Sequence, residues 1–284
     1  MSKFKKILFE KLENNIPREN LNALPNGFQQ IGNKAIINLK PEVLTYQNEI
    51  SNIILENFSA IKGVYLKKGG ISGNFRVPDL EYIRGERDPI IQHKEHGIIF
   101  KFDMTKIMFA KGNINERLRF KKIVKEDEII FDLFSGIGYF SLIIAKYCKP
   151  KIIYSFELNP VSFEFLTENI KLNKINDKRL IIRPIFGDSN QEMLKIKDKA
   201  DRVIMGIIPA PKSHLSNVFK ILNEDHGIIH YEGLLNDRMS PNILLNDVLK
   251  HANEVGRECK LLKANKVKSY GPKVNHVTLD IEIN

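Results

Sequence analysis

Five residues set the chemistry open to this chain: Asp132, Gly136, Gly138, Glu157 and Asp188. Each stands at the end of an apolar run or directly after one, where a nucleotide bound along a sheet edge would meet it. Gly136 and Gly138 lie between the run ending at Asp132 and a stretch with helical spacing. Missing side chains there let a ligand approach the backbone and a helix N-terminus. The pair alone is a weak signal, and Phe140 stands near the place of the third glycine of a dinucleotide fingerprint, which disfavours a nicotinamide cofactor. Glu157 closes the next apolar run, 19 residues beyond Gly138, where a carboxylate can accept both hydroxyls of a ribose. Asp188, after Ile185–Phe186–Gly187, can accept a proton from an adenine amino group. The plainer role for either acid is to cap the following helix. Asp132 can meet an ammonium group or hydrogen-bond its own turn, and residue type does not choose.

Other residues carry weaker signals. Glu116 and Arg117, in NINER, read on type alone as a solvated pair on a helix, although an arginine there can also neutralise a carboxylate or phosphate. His230 and Tyr231, in GIIHY, fit either a substrate site or a packed strand. The run DRVIMGIIPAPKSH places Gly206–Ile207–Ile208–Pro209 where base amino-methyltransferases present Asn or Asp before Pro-Pro and an aromatic, so standard adenine or cytosine amino-methylation is disfavoured. No histidine or cysteine spacing suits a zinc ion, and no metal is expected. Cys148 and Cys259 are too few for a disulfide framework.

The elements that must position these residues follow an α/β alternation. Strands are expected at 129–133, 151–156, 180–186, 202–207 and 227–232, as continuous apolar runs suited to a sheet covered on both faces. Helices are expected at 139–147, 160–172, 213–222 and 242–255. Two further strand-like runs, 260–269 and 274–282, flank Tyr270–Gly271–Pro272, giving a terminal hairpin that adds an antiparallel edge. Upstream, residues 1–60 read as a small α/β module, with helical spacing over 3–13 and 43–57. Residues 61–97 read as a β-rich basic connector with a short strand at 64–66, and 98–284 as the catalytic domain. The net charge is +10, of which residues 61–122 carry +7, with 14 Lys and Arg against 7 Asp and Glu. A local excess beside a nucleotide site suggests an anionic macromolecule, and it predicts salt-sensitive nucleic-acid binding through Lys67, Lys68, Arg84 and Arg87. No run is long and apolar enough for a membrane span and no secretory signal is evident, so a cytoplasmic protein is expected.

A resemblance adds to this reading. KIMFAKGNINERLRF, DLFSGIGYFSL, ELNP, ENIKLNK, DRVIMG and GIIHY, with the closing KVKSYGPKVNHVTLDIEI, resemble the tRNA guanosine-37 modification family over roughly residues 20–284. That family comprises tRNA (guanine-N1)-methyltransferases and the wybutosine-synthesising aminocarboxypropyltransferases. The resemblance implies a Rossmann-like class I S-adenosylmethionine-dependent methyltransferase fold, with S-adenosyl-L-methionine as cofactor and the anticodon arm of phenylalanine tRNA as partner of a monomer. It implies that Gly136, Gly138, Glu157 and Asp188 hold the adenosine, and it adds Met108, Phe109, Asp132 and Phe134 to the cofactor contacts. It makes Lys106 and Arg117 candidates to orient the methionine carboxylate or a tRNA phosphate, and Glu116 a candidate proton acceptor. The methyltransferase branch usually has Asn-Leu-Pro after the fourth strand; Gly206–Ile207–Ile208–Pro209 looks like the glycine version of the aminocarboxypropyl branch. That branch commonly has Asp-Asn-Arg where Asp188–Ser189–Asn190 stands, so its arginine is missing here.

Overall fold

The computed structural model describes residues 1–73 and 75–284. The chain divides into two compact units, Met1–Phe109 and Ala110–Asn284.

In the first unit, helix α1 (Lys3–Leu12) starts at Ser2, whose Oγ accepts the Lys5 N–H at 3.1 Å. The i, i+4, i+8 spacing of Phe4, Leu8 and Leu12 buries one face of it. After β1 (Gln29–Ile31) and β2 (Lys34–Ile37), helix α2 (Gln47–Asn57) crosses over to β3 (Gly63–Ser72), which turns back into β4 (Val77–Gly85). The sheet order is β1-β2-β3-β4, with β2 and β3 parallel. Leu8, Ile37, Val43, Ile50, Ile54 and Val64 form its centre. A hairpin of β5 (Ile90–Glu95) and β6 (Ile98–Asp103) makes a separate two-stranded sheet.

This differs from the expected boundaries. The stretch 61–97 does not stand apart as a connector, because β3 pairs with β2 from Lys34↔Gly63 to Ile37↔Leu66. A parallel partner needs a crossover, and α2 supplies it, so the basic stretch enters the first sheet. The β5–β6 hairpin also stays with the first unit, and the division falls at 109/110 instead of 97/98.

The second unit opens with α3 (Ile114–Ile123). It continues through β7 (Ile129–Asp132), α4 (Ser141–Tyr147), β8 (Ile152–Glu157), α5 (Pro160–Leu172), β9 (Ile182–Phe186) and the short α6 (Ser189–Glu192). Then come β10 (Arg202–Met205), α7 (Leu215–Ile221), β11 (Gly227–Asn236), α8 (Asn242–Glu254), β12 (Cys259–Gly271) and β13 (Val274–Ile283). All five expected inner strands and all four expected helices are present, with ends shifted by a few residues and a 3₁₀ turn at Lys212–His214 before α7. The sheet order is β12-β13-β11-β10-β7-β8-β9. Strands β7 to β11 are parallel and β13 runs antiparallel to both neighbours. The chain thus leaves β11, forms the edge at β12 and returns between them, which is the Rossmann-like methyltransferase arrangement the resemblance implies. The order reverses between β7 and β10, so the loop after β7 lies at the switch point where open α/β sheets bind ligands. Among the described residues no helix is long and apolar enough to cross a membrane, and no group of His, Cys, Asp and Glu could hold a metal ion.

Candidate active site

The loop from β7 to α4 is shaped by its glycines. Gly136 has φ +57° and Gly138 φ +96°, both in the left-handed region. A Cβ on Gly136 would lie 2.6 Å from the Tyr139 ring, and one on Gly138 would lie 2.8 Å from Leu142 and 3.1 Å from Leu166. The turn therefore sits directly on the side chains that carry it, and its backbone can face a ligand closely.

Glu157, at the end of β8, locks this turn. Its Oε2 accepts the Gly136 N–H at 2.7 Å and its Oε1 the Asn159 N–H at 2.7 Å. Burial raises its pKa, opposed by those backbone donors. Each oxygen keeps a second lone pair, so the carboxylate can still accept from a diol.

Asp132 is fully buried. Its Oδ2 accepts the Ser141 hydroxyl at 2.6 Å, and Ser141 lies 2.7 Å from the Ser155 hydroxyl, which must then be the donor of that pair. Among the described residues its Oδ1 is buried without a well-formed hydrogen bond, although the backbone N–H groups of Phe134 and Ser141 also act on the carboxylate. Burial pushes Asp132 up to about 7, against the pull of the Ser141 hydrogen bond. A buried carboxylate oxygen short of hydrogen bonds is what a cation would satisfy.

Asp188 caps α6 by accepting the Asn190 N–H at 2.9 Å. It also lies 3.9 Å from Nε2 of His214, whose ring meets Phe134 at 5.0 Å. Burial lowers the His214 pKa, while Asp188 raises it. Phe134, His214 and Asp188 therefore bring two rings and an acceptor together, a set suited to a heterocycle with an amino group. His214 is a residue the sequence reading did not single out. Its one signal was its place at the start of the helix expected at 213–222, which the structure resolves as the 3₁₀ turn Lys212–His214.

Helix α3 corrects the reading of Glu116 and Arg117 as a solvated pair, since both are buried. Adjacent helix residues point apart, and residues three apart meet. Glu116 accordingly forms a bidentate pair with Arg119, Oε2 to Nε at 3.0 Å and Oε1 to Nη2 at 2.6 Å. A proton acceptor at Glu116 would first have to leave that pair. Arg117 donates to the Ala110 carbonyl at 3.2 Å and holds its guanidinium 5.7 Å over the Tyr139 ring, the ring that Gly136 makes room for. This stack brings Arg117 to the glycine turn.

Behind α3 runs a buried polar chain. Arg119 binds Asp280 through its two terminal nitrogens, Nη1 and Nη2, and Asp280 Oδ1 lies 2.7 Å from His230 Nδ1. His230 Nε2 lies 2.6 Å from Arg202 Nη1, and Arg202 grips Glu128 at 2.7 and 2.8 Å. Arg202 can only donate, so His230 accepts at Nε2 and carries its proton on Nδ1 toward Asp280. Burial keeps the His230 pKa below its ordinary value. Of the two roles open to His230, the packed one holds, with side chains as its partners in place of backbone.

Lys106, Met108 and Phe109 lie in the other compact unit. There Phe109 is buried and stacks on Phe102 at 5.1 Å, while Lys106 is exposed and 3.8 Å from Asp103. Gly206 follows β10, and a Cβ there would lie 2.8 Å from Phe140, which in turn packs on Phe120 at 4.9 Å. A side chain at position 206 would therefore run into the Phe140 ring.

Comparison with known proteins gives a consistent set of likenesses. Residues 91–262 match the TRM5/TYW2 methyltransferase domain, and residues 8–88 the TYW2 N-terminal domain. A tRNA(Phe) (4-demethylwyosine(37)-C(7)) aminocarboxypropyltransferase of Methanocaldococcus jannaschii is 37% identical over 253 residues, covering 89% of this chain and 96% of that protein. A tRNA (guanine(37)-N(1))-methyltransferase Trm5b of Pyrococcus abyssi is 34% identical over 270 residues, covering 95% of this chain and 78% of that one. Among solved structures, Pyrococcus horikoshii TYW2 in complex with MeSAdo superposes with a TM-score of 0.81 at 31% identity, covering 98% of each chain.

Proposed function

This chain belongs to the TRM5/TYW2 family, and from that premise we propose that it is a tRNA(Phe) (4-demethylwyosine(37)-C7) aminocarboxypropyltransferase. It transfers the 3-amino-3-carboxypropyl group of S-adenosylmethionine to the tricyclic base at tRNA position 37 and releases methylthioadenosine. The observation that carries this reading is the match of residues 8–88 to the TYW2 N-terminal domain. The glycine at 206, where any side chain would meet the Phe140 ring, supports it. The second reading, tRNA (guanine(37)-N1)-methyltransferase, is favoured by the likeness to Trm5b over 95% of the chain.

The residues fit the cofactor. S-adenosylmethionine, when bound, supplies electrophilic carbons on a sulfonium, and the protein selects one by the geometry in which it holds the molecule. Glu157 would accept from the ribose hydroxyls, Asp188 from the adenine amino group, and Phe134 with His214 would flank the ring. Asp132 Oδ1 would face the ammonium, directly or through water. Arg117, over Tyr139, would steady an anionic group entering beside the glycine turn.

The partner is a tRNA, held largely through phosphates, which position a substrate without reading its sequence. Lys67, Lys68, Arg84 and Arg87 lie on or just after the β3–β4 pair, where Lys68 meets Glu81 at 2.9 Å and Arg87 lies over the Tyr82 ring at 5.6 Å.

The test uses S-adenosylmethionine labelled separately in the methyl and the carboxypropyl carbons, with tRNA bearing either the tricyclic base or plain guanosine 37. Carboxypropyl label in the tricyclic tRNA, with methylthioadenosine released, is expected. Methyl label in guanosine, with S-adenosylhomocysteine released, would establish the second reading.

Cofactor binding should also depend on pH. With Asp132 near 7, its carboxylate is mostly protonated at pH 6 and mostly charged at pH 8. A cationic cofactor should therefore bind more weakly at the lower pH, by a factor on the order of ten. Calorimetric titration at the two values checks this, and Asp132→Asn should bind weakly at both. The sign for stability is opposite. An Asp raised from 3.8 to about 7 binds its proton more tightly in the folded state, so it costs stability as pH rises through that window. Asp132→Asn should consequently unfold no more easily than wild type at pH 8.

A further inference from the structure

β12 is an edge strand, and residues 259–273 hold five lysines and no acid. In a regular strand Lys260 and Lys263 would point to opposite faces, and so would Lys263 and Lys268. Here the ladder to β13 slips between Leu261 and Lys263 and again between Lys266 and Lys268. Each slip leaves one residue without an opposite number and reverses the parity of the residues beyond it. Lys260, Lys263, Asn265 and Lys268 therefore stand opposite Glu282, Asp280, Thr278 and His276, which alternate along β13 and share one face.

Asn265 identifies that face. Its Nδ2 donates to Asp280 Oδ2 at 3.3 Å, and Asp280 is the partner of Arg119 on α3. The two slips thus gather three lysines onto the face that α3 covers. The acids there are answered: Asp280 by Arg119 and His230, and Glu282 by His226 at 3.9 Å and Lys260 at 4.0 Å. Lys263 is exposed, and the Lys260 side chain is 73% exposed. At ~3.4 Å per residue the row runs about 20 Å. It ends beside the segment that opens α3, because a Cβ on Gly112 would lie 2.8 Å from Cδ of Lys268. β12 is parallel to β11, so this end is the ligand end of the sheet.

We propose that Lys260, Lys263 and Lys268 form a track for the phosphate backbone of the RNA substrate on the second unit, in addition to Lys67, Lys68, Arg84 and Arg87 of the first. The proposal rests on the reading of an RNA substrate. Lysines on an edge strand also guard against strand-to-strand association. That guard works from either face, whereas the two slips serve to bring the charges onto one.

The test compares Lys260→Gln/Lys263→Gln/Lys268→Gln with a control, Lys149→Gln/Lys174→Gln/Lys178→Gln, taken from exposed lysines elsewhere on the unit. Binding of an unreacted tRNA(Phe) transcript is measured from 50 to 250 mM salt. The row variant should bind about tenfold or more weakly at 100 mM, with the log–log salt slope flatter by about 2 to 3 and thermal unfolding unchanged. The control should follow wild type. Equal losses in the two variants, or no change in the row variant, would overturn the proposal. So would self-association of the row variant with wild-type affinity, which would make the lysines edge guards. Failure of the wild-type chain to bind tRNA would defeat the RNA reading and this inference with it. Methyl transfer in place of aminocarboxypropyl transfer would revise the reaction alone, since binding of an unreacted transcript does not depend on the group transferred.

Discussion

Asp280→Ala is expected to destabilise the protein by about 3 kcal/mol, the range for removing one partner of a buried ion pair. The reason lies in what remains. Arg119 would keep Glu116 but lose both hydrogen bonds to β13, and His230 would be left with Arg202 on one side and no acceptor for its Nδ1–H on the other. Asp280→Asn is expected to cost less, because its amide oxygen can still take the His230 proton while its NH₂ opposes Arg119. Urea unfolding of the three proteins checks the order. A midpoint for Asp280→Ala within about 0.5 kcal/mol of wild type would show that the chain does not hold α3 to the sheet.

The same residue carries an acid signature. Burial works to raise the Asp280 pKa, but the bonds from His230 and Arg119 hold it at about 2 against an ordinary 3.8. A depressed carboxylate stabilises the fold fully above its unfolded value, and that contribution is lost as pH falls from about 4 toward 2. Wild type should lose stability across that interval, and Asp280→Asn should lose less. Asp132 acts with the opposite sign and in a different window, so the two can be separated by pH alone.

How much of this was legible depended on the kind of contact. The second unit was readable because buried parallel strands are continuous apolar runs, and because Asp132, the two glycines, Glu157 and Asp188 mark strand ends in order. The first unit was not read correctly at β3 and β4, where the outer part of β3 is exposed and β4 alternates half-buried with exposed residues, so hydropathy suggested a connector. The Glu116–Arg119 pair was within reach of the i, i+3 rule, whereas Glu116 and Arg117, being adjacent, point apart on the helix. The Arg119–Asp280 bond was out of reach, since it joins residues 161 apart through a strand inserted late in the sheet. His214 was hidden for a similar reason, because its meeting with Phe134 joins the segments after two different strands, β7 and β10, and no periodicity sets it. The lysine row was hidden by averaging and by bulges, since a strand read with strict alternation scatters those residues over both faces.

Gly138→Ala is expected to have the largest effect on cofactor binding, a loss of about a hundredfold, with the fold retained. Two costs combine. A φ of +96° is strained for any residue with a Cβ, by about 1–3 kcal/mol. The added methyl would also stand 2.8 Å from Leu142 and 3.1 Å from Leu166, both fully buried. The turn must then move outward, and the Gly136 N–H that Glu157 holds at 2.7 Å moves with it. The double variant Gly138→Ala/Leu142→Ala separates the costs. It should remove the Leu142 contact, leaving the backbone angle and the lesser 3.1 Å approach to Leu166, so affinity for S-adenosylmethionine should stay low even though the main clash is relieved. Full recovery of affinity would mean that packing alone, and not the conformation of the turn, shapes the site. Wild-type affinity in the single variant would mean that the cofactor does not rest on this turn, and the assignment of Glu157 to the ribose would fall with it.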